Sequence, residues 1–228
     1  PNKINKSPLG NEVGSGFYVS KFRHIVTNQH VVNQCKKITV GKSVNSQIPA
    51  NLIATDKRHD LALLQTISLE FASAETKNFI QKLRMEISPI VSSGLIRIED
   101  VLGGEKIFVA GYPLGKGLSD DLKISSGIIS SLKGFEDNSN EIQIDAPINP
   151  GNSGGPIINK KGLLVGIAVS GLAKDQTEGI NFGIKSSAAE SFLKSNKIKP
   201  IKSFNSKAKS NEDLLNILEE GTVYTYCE

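Results

Sequence analysis

The segment Asn149-Pro-Gly-Asn-Ser-Gly-Gly-Pro156 (NPGNSGGP) carries the strongest signal in this chain of 228 residues. A serine hydroxyl is a poor nucleophile until a base removes its proton, and Ser153 is the candidate for that role. Gly151 allows a turn in which its own N–H and that of Ser153 point into one pocket, where they stabilise a developing oxyanion beside Asn152. The two glycines after the serine allow a neighbouring strand to approach closely. Taken alone, the segment also fits a glycine-rich β-turn.

A base for this serine is found in Ile25-Val-Thr-Asn-Gln-His-Val-Val32, where His30 ends a β-like run. A single histidine in such a run is more often structural than catalytic. A carboxylate near a strand start changes that balance, because it can fix the tautomer of a histidine and stabilise its imidazolium. Asp60 is the preferred carboxylate because it directly precedes the apolar run Leu61–Leu64, and Asp56 is a nearby competitor.

These segments together resemble the HtrA/Deg family of chymotrypsin-fold serine peptidases, and their order of histidine, aspartate and serine is that of the family. The resemblance covers roughly residues 13 to 196. The matching segments are Gly14–Phe17, Val26–Val32, Asp60–Leu64, Gly104–Gly115, Ser126–Ser130, Ile144–Pro156 and Gly179–Ile184.

The resemblance implies an all-β chain of two six-stranded antiparallel barrels with the active site in the cleft between them. Residues 1–100 would form the barrel that carries His30 and Asp60, and residues 101–196 the barrel that carries Ser153. Residues 197–228 would form a tail with a helix and, as an expectation, a strand. The chain departs from the family because no PDZ domain follows the catalytic region, and because the family's first strand has no counterpart before Val13.

Short β-prone runs separated by glycine also predict a β-rich fold without any resemblance. Five runs fall in the first half and six in the second. The segments Ser186–Asn196 and Asn211–Glu219 have helical patterns, with Asn211 as the expected N-cap of the latter. Ser68–Met85 fits an inserted helix and an irregular linker equally well. The predicted strands are Val13–Ser20, His24–Thr27, Lys37–Val40, Gln47–Ala54, Leu61–Thr66, Lys106–Ala110, Leu122–Leu132, Glu141–Asp145, Pro156–Asn159, Leu163–Ser170 and Gly179–Ile184.

Thr222–Cys227 is the remaining β-prone run and is predicted to close the first barrel, because an incomplete barrel leaves an edge of unpaired backbone groups. Cys227 would then approach Cys35, and the two could form a disulfide in an oxidising compartment. The competing interpretation is a frayed tail with two free thiols.

Composition limits the partners of the chain. Hydrophobic residues make up 38% and charged residues 22%, and no apolar run approaches the ~20 residues that cross a bilayer. The net charge of +4 comes from scattered lysines, so nucleic acid is not an expected partner. Three histidines and two widely spaced cysteines do not predict a metal or another cofactor. Polypeptides are the expected substrates, with a homo-oligomer left open, and the expected location is extracytoplasmic if a signal peptide has been removed.

The expected substrate pocket is apolar. Its candidate lining is Ile148, Ala168, Val169 and Phe182. No nearby acid would pair with a basic side chain, so we expect small or medium aliphatic residues at P1. The function that these patterns favour is a serine endopeptidase that degrades unfolded or damaged proteins. The alternative is a peptidase-like module that binds peptides or acts as a chaperone with weak or regulated activity.

Overall fold

The computed structural model describes residues 12–20, 22–43, 45–66, 97, 99–113, 121–169, 179–200, 203 and 207–228. Its strands form two closed six-stranded antiparallel barrels, which confirms the predicted fold class. The first barrel contains β1 (Glu12–Tyr18), β2 (His24–Thr27), β3 (Ile38–Ser43), β4 (Ser46–Asp56), β5 (Leu61–Thr66) and β12 (Thr222–Cys227). The second contains β6 (Lys106–Gly111), β7 (Lys123–Ser131), β8 (Glu141–Ile144), β9 (Pro156–Asn159), β10 (Leu164–Val169) and β11 (Asn181–Lys185). The helices are α1 (Ser186–Ser195) and α2 (Asn211–Gly221), and two 3₁₀ turns span His30–Val32 and Phe135–Asp137.

Strand β5 shows why its sequence is apolar without alternation. Ala62 and Leu64 point into the core of the first barrel, whereas Leu61 and Leu63 pack in a second core between the barrels. A strand that is buried on both faces reads as a continuous apolar run. The core between the barrels also receives Phe192 of α1, so this helix fixes one barrel against the other. The cleft between the barrels is therefore built on rigid elements.

The C-terminal strand β12 closes the first barrel by inserting between β1 and β3. Thr225 pairs with Gly14 on one side and with Val40 on the other. Helix α2 delivers this strand while it packs Leu214 and Leu218 against the second barrel. The segment that follows residue 207 therefore contacts both barrels.

Helix α2 is held at both ends. Its N-cap is Ser210, whose hydroxyl accepts the N–H of Asp213 in a capping box, so the expected cap at Asn211 is wrong by one residue. At its other end, the Lys42 ammonium donates to the carbonyls of Glu219, Glu220 and Thr222. Burial lowers the pKa of Lys42 to about 8. A partly buried cation at a helix C-terminus interacts favourably with the helix dipole.

Cys35 and Cys227 are joined by a disulfide, with Cα atoms 5.3 Å apart. This bond ties the loop after the turn at 30–32 to the last residue of β12, across a sequence separation of 192 residues. The Glu228 carbonyl also accepts the N–H groups of Lys36 and Lys37. The end of the chain is thus fastened beside the segment that carries His30.

A tight turn at Asn159–Gly162 joins β9 to β10. The N–H of Gly162, at a φ of 76°, donates to the Asn159 carbonyl at 2.9 Å. The predicted bounds of β2, β5, β9 and β12 agree with the structure residue for residue. The expected helix or linker at Ser68–Met85 lies outside the described residues.

Candidate active site

His30 and Asp60 meet because β2 and β5 are antiparallel neighbours, with Thr27 opposite Ala62. The Asp60 carboxylate accepts the His30 N–H at 2.8 Å through Oδ1, and its Oδ2 lies 2.6 Å from His30 Nδ1. An ionised carboxylate only accepts hydrogen bonds, so Nδ1 carries the proton and Nε2 is left as the basic nitrogen. The side chains of His30 and Asp60 are 45% and 28% exposed, so solvent reaches the pair.

The backbone around Asp60 holds an unusual conformation. Its φ of 52° lies in the left-handed region, which non-glycine residues adopt rarely. Two donors fix its carbonyl: the Gln29 N–H at 3.1 Å and the buried Asn28 side chain at 2.9 Å. The carboxylate is thereby aimed at the segment that carries His30. The sequence analysis assigned no role to Asn28, although it lies inside the histidine segment.

Ser153 lies in a sharply folded segment before β9. The Asn152 N–H donates to the Asn149 carbonyl at 2.9 Å, and Gly151 has a φ of 98°. With Pro150 as its second residue, this is a type II turn, whose third residue requires a positive φ. The N–H of Gly154 and the carbonyl of Gly155 both bond Ala168 of β10 at 2.9 Å. These two hydrogen bonds hold the segment just after the oxyanion candidates Gly151, Asn152 and Ser153 against β10 of the second barrel.

Close approach across the cleft explains the glycines around the serine. A Cβ on Gly154 would lie 2.2 Å from the Ser15 carbonyl and 2.9 Å from the Asn28 nitrogen, both in the first barrel. A Cβ on Gly155 would lie 2.0 Å from the Ala110 carbonyl in β6. These contacts bring the turn that carries Ser153 against the end of β2, two residues before His30. The expectation that both glycines permit close approach agrees with this packing.

The residues expected to line the substrate pocket lie near one another on the second barrel. Ile148, Ala168 and Phe182 are buried and Val169 is partly buried. Strand pairing sets Val169 opposite Phe182. The sequence analysis missed Phe135, a half-exposed residue whose ring meets that of Phe182 edge to face at 6.4 Å. Only the fold reveals it, because Phe135 lies in a turn with no recognisable motif.

The nearest acid to this apolar region is already engaged. Asp145 Oδ1 accepts the Ile128 N–H at 2.6 Å, on the β7 side of the barrel. At the start of the serine segment, the Asn181 side chain donates to the Ala146 carbonyl at 3.0 Å. Asp145 is thus bonded to β7 and is not aimed at the strands that carry Ala168 and Phe182.

The competing carboxylate, Asp56, pairs with another histidine. Its Oδ2 lies 2.6 Å from His59 Nδ1, and its Oδ1 accepts the N–H groups of Arg58 and His59. Desolvation raises the pKa of Asp56, but the hydrogen bonds from His59 and Arg58 outweigh it and leave the pKa below its ordinary value. His24 is buried beside the Ser20 hydroxyl, 2.6 Å from its Nδ1, and burial lowers its pKa. The contacts of His24 and His59 are therefore typical of structural histidines.

Across the described parts of the chain, no group of three or more His, Cys, Asp or Glu side chains is arranged to hold a metal ion. Within the same residues, neither helix is long and apolar enough to cross a membrane.

Residues 14–167 match the family model for the trypsin-like peptidase domain. The chain is 34% identical over 199 residues to the serine protease Do-like HtrA of Bacillus subtilis (strain 168). The matched region covers 82% of this chain and 38% of that protein. It is also 34% identical over 171 residues to a probable periplasmic serine endoprotease DegP-like of Pseudomonas fluorescens (strain ATCC BAA-477). That match covers 71% of this chain and 31% of the relative. The chain therefore spans about a third of the length of these curated relatives.

The fold is also similar to a solved structure. The crystal structure of the serine endoprotease from Yersinia pestis superposes with a TM-score of 0.61 at 29% sequence identity, covering 84% of this chain and 60% of that one. The similarity to HtrA-type peptidases that the sequence segments predicted is thus confirmed.

Proposed function

The chain belongs to the trypsin-like peptidase family, and on that premise we propose that it is a serine endopeptidase that uses His30, Asp60 and Ser153 as a catalytic triad. The observation that carries the proposal is the doubly bonded His30–Asp60 pair, with its 2.6 Å ring contact. The packing of Gly154, next to Ser153, against Asn28 of the histidine segment supports it. The family model covers all three residues.

The proposed mechanism proceeds through an acyl-enzyme. His30 Nε2 removes the proton from the Ser153 hydroxyl as its oxygen attacks the scissile carbonyl, and Asp60 stabilises the resulting imidazolium. The N–H groups of Gly151 and Ser153 bind the oxyanion of the tetrahedral intermediate. The imidazolium then protonates the leaving amine, which leaves an acyl-enzyme on Ser153. Water, activated by the same nitrogen, hydrolyses the ester and restores the free serine.

Casein cleavage by the wild type beside Ser153→Ala tests the proposal. We expect the variant to lose about 10⁶-fold in kcat, because the triad acts as a unit. Stoichiometric labelling of the wild type by a fluorophosphonate, absent in Ser153→Ala, identifies the nucleophile directly. A wild type that binds casein but neither cleaves it nor reacts with the probe would instead support the alternative of a peptide-binding or chaperone module.

We further propose that the pocket prefers small or medium aliphatic residues at P1. The candidate lining is apolar, and Asp145 is bonded to β7. An apolar pocket discriminates by only about 1–3 kcal/mol per methylene, so the preference is graded. Mass-spectrometric mapping of cleavage sites in denatured proteins tests it, with Phe135→Ala as the variant expected to shift the preference towards larger residues. A strong excess of Arg, Lys or Glu at P1 would contradict the apolar pocket.

The substrate class that we propose is unfolded or damaged polypeptide outside the cytoplasm. Two observations support this setting: the Cys35–Cys227 disulfide is typical of oxidising compartments, and a relative is named a probable periplasmic endoprotease. Thiol alkylation without reductant, on protein isolated from its native compartment, tests the setting. Modification of both cysteines would count against it. Faster cleavage of reduced, unfolded substrate than of its native form tests the substrate class.

A further inference from the structure

Ser15 lies in the middle of β1, between Gly14 and Gly16, and its side chain is fully buried where the two barrels meet. The sequence marks it only as one letter of a strand segment. The mechanism proposed above gives it no role. Its hydrogen bonds nevertheless reach the oxyanion turn, the nucleophile and both barrels.

All four polar positions of Ser15 are used. Its hydroxyl donates to the Gly151 carbonyl at 2.7 Å and accepts the Tyr112 N–H at 2.9 Å. Its N–H donates to the Ser153 carbonyl at 2.8 Å, and its carbonyl accepts the Thr27 hydroxyl at 2.7 Å. Buried polar groups that are fully satisfied in this way strongly specify one local arrangement. Ser15 therefore joins β1, β2, β6 and the nucleophile turn at one point.

The bond to Gly151 bears on the oxyanion hole. Gly151 is the third residue of the type II turn, and a change to a type I turn would require the peptide before it to flip and its φ to become negative. Ser15 holds the peptide after Gly151 through its carbonyl, and the Asn149 carbonyl holds the N–H of that same peptide. The clamp therefore fixes the peptide that links Gly151 to Asn152, which lies between the two candidate oxyanion donors, the N–H groups of Gly151 and Ser153.

The surroundings leave little room for rearrangement. A Cβ on Gly111 would lie 2.9 Å from the Ser15 hydroxyl oxygen, and a Cβ on Gly154 would lie 2.2 Å from the Ser15 carbonyl. Removal of the hydroxyl takes away the partner of both the Gly151 carbonyl and the Tyr112 N–H in a packed interior. The clamp depends on the hydroxyl rather than on the shape of the site.

We propose that Ser15 is a positioning residue for the oxyanion hole: its hydroxyl fixes the Gly151 peptide so that the oxyanion-binding N–H groups are oriented before substrate arrives. This rests on the proposed peptidase function. Oxyanion donors act mainly in the transition state, so their misalignment lowers kcat with little change in KM.

The test compares Ser15→Ala with the wild type, using kcat per active site titrated with a fluorophosphonate, at a temperature well below the Tm of either protein. We expect kcat to fall about 10- to 100-fold, less than the roughly 10²–10³-fold loss for a removed oxyanion donor, because the donors are misaligned rather than absent. KM should stay within about threefold. The pH at which kcat/KM is half-maximal should not move, because the His30–Asp60 pair is untouched.

Asn159→Ala is the matched control. Asn159 is equally buried, makes side-chain hydrogen bonds to Glu105, Lys161 and Leu163, and lies at the far end of β9 from the nucleophile. This variant should lower Tm at least as much as Ser15→Ala and leave kcat per titrated site unchanged. An equal loss of kcat in both variants would make the effect one of stability alone and overturn the proposal.

Two further outcomes are informative. If Ser15→Ala does not fold, Ser15→Cys takes its place, since a thiol keeps the shape with a weaker donor, and it must lose at least about tenfold in kcat. A kcat per titrated site within threefold of the wild type overturns the role of Ser15 and leaves the peptidase function standing. A wild type that neither cleaves casein nor labels at Ser153 overturns the function and this role together.

Discussion

The chain contains two histidine–aspartate pairs with the same contact distance. His30 Nδ1 lies 2.6 Å from Asp60 Oδ2, and His59 Nδ1 lies 2.6 Å from Asp56 Oδ2. Both pairs are partly exposed, and both aspartates accept backbone N–H groups as well. The contact itself therefore does not distinguish a catalytic pair from a structural one.

The difference lies in what each pair connects. Asp56 bonds residues two and three positions further along, and so closes a single turn before β5. Asp60 bonds a residue 30 positions away, across the β2–β5 pairing, in the segment whose Asn28 packs against Gly154. A histidine–aspartate pair acts as a base only when a nucleophile faces the free ring nitrogen. Comparison of the two pairs by mutation tests this distinction.

The largest expected contrast is between the two histidines. His30→Ala should lower kcat about 10⁶-fold, as Ser153→Ala does, because the nucleophile loses its base. His59→Ala should leave kcat within about twofold of the wild type. Casein cleavage and fluorophosphonate labelling measure both variants on the same preparation. A comparable loss in the two variants would remove the distinction between the pairs.

The two aspartates should differ in the same direction as the two histidines, with a smaller loss of kcat. Asp60→Asn should lower kcat about 10⁴-fold, because the amide no longer selects the correct tautomer or stabilises the imidazolium. Asp56→Asn should leave kcat unchanged. Peptide hydrolysis with each variant checks this. A larger effect of Asp56 than of Asp60 would make Asp56 the functional carboxylate.

The third prediction concerns the disulfide that joins Cys227 of β12 to Cys35, five residues after His30. The double variant Cys35→Ser, Cys227→Ser should lower the free energy of unfolding by about 5 kcal/mol in the chain-entropy model for a loop of this length. Urea unfolding measures this loss. Wild type unfolded with reductant is the control and should coincide with the variant. A loss below about 1 kcal/mol would mean that β12 stays in place without the bond.

The smallest effect concerns the local pair. The folded pKa of Asp56 lies below its ordinary value, so its interactions stabilise the fold above a pH of about 3.9 and are lost as the pH falls through the folded pKa. Asp56→Asn should therefore be less stable than the wild type by at most about 1 kcal/mol at pH 7. That difference should shrink below pH 4. Thermal unfolding at pH 7 and pH 3 measures this difference. A difference that grows on acidification would contradict a lowered pKa of Asp56 in the folded state.

The sequence alone indicated the peptidase family and most of the β-structure. The segments around His30, Asp60 and Ser153 carry the resemblance, because a serine peptidase requires these residue types and glycines beside them. The strands β2, β5, β9 and β12 could be bounded residue for residue, since glycine and polar turns interrupt their apolar runs. Strand bounds of this kind depend on local propensity, which the sequence alone displays.

Only the tertiary structure determines which of these residues interact with each other. Asp56 and Asp60 are alternatives in the sequence, and only the β2–β5 register assigns Asp60 to His30. The four bonds of Ser15 join segments that are separated by 12 to 138 positions, so no local pattern announces them. The place of β12 between β1 and β3 likewise depends on barrel closure. Contacts of this kind arise from long-range packing of two barrels, which the order of residues along the chain does not display.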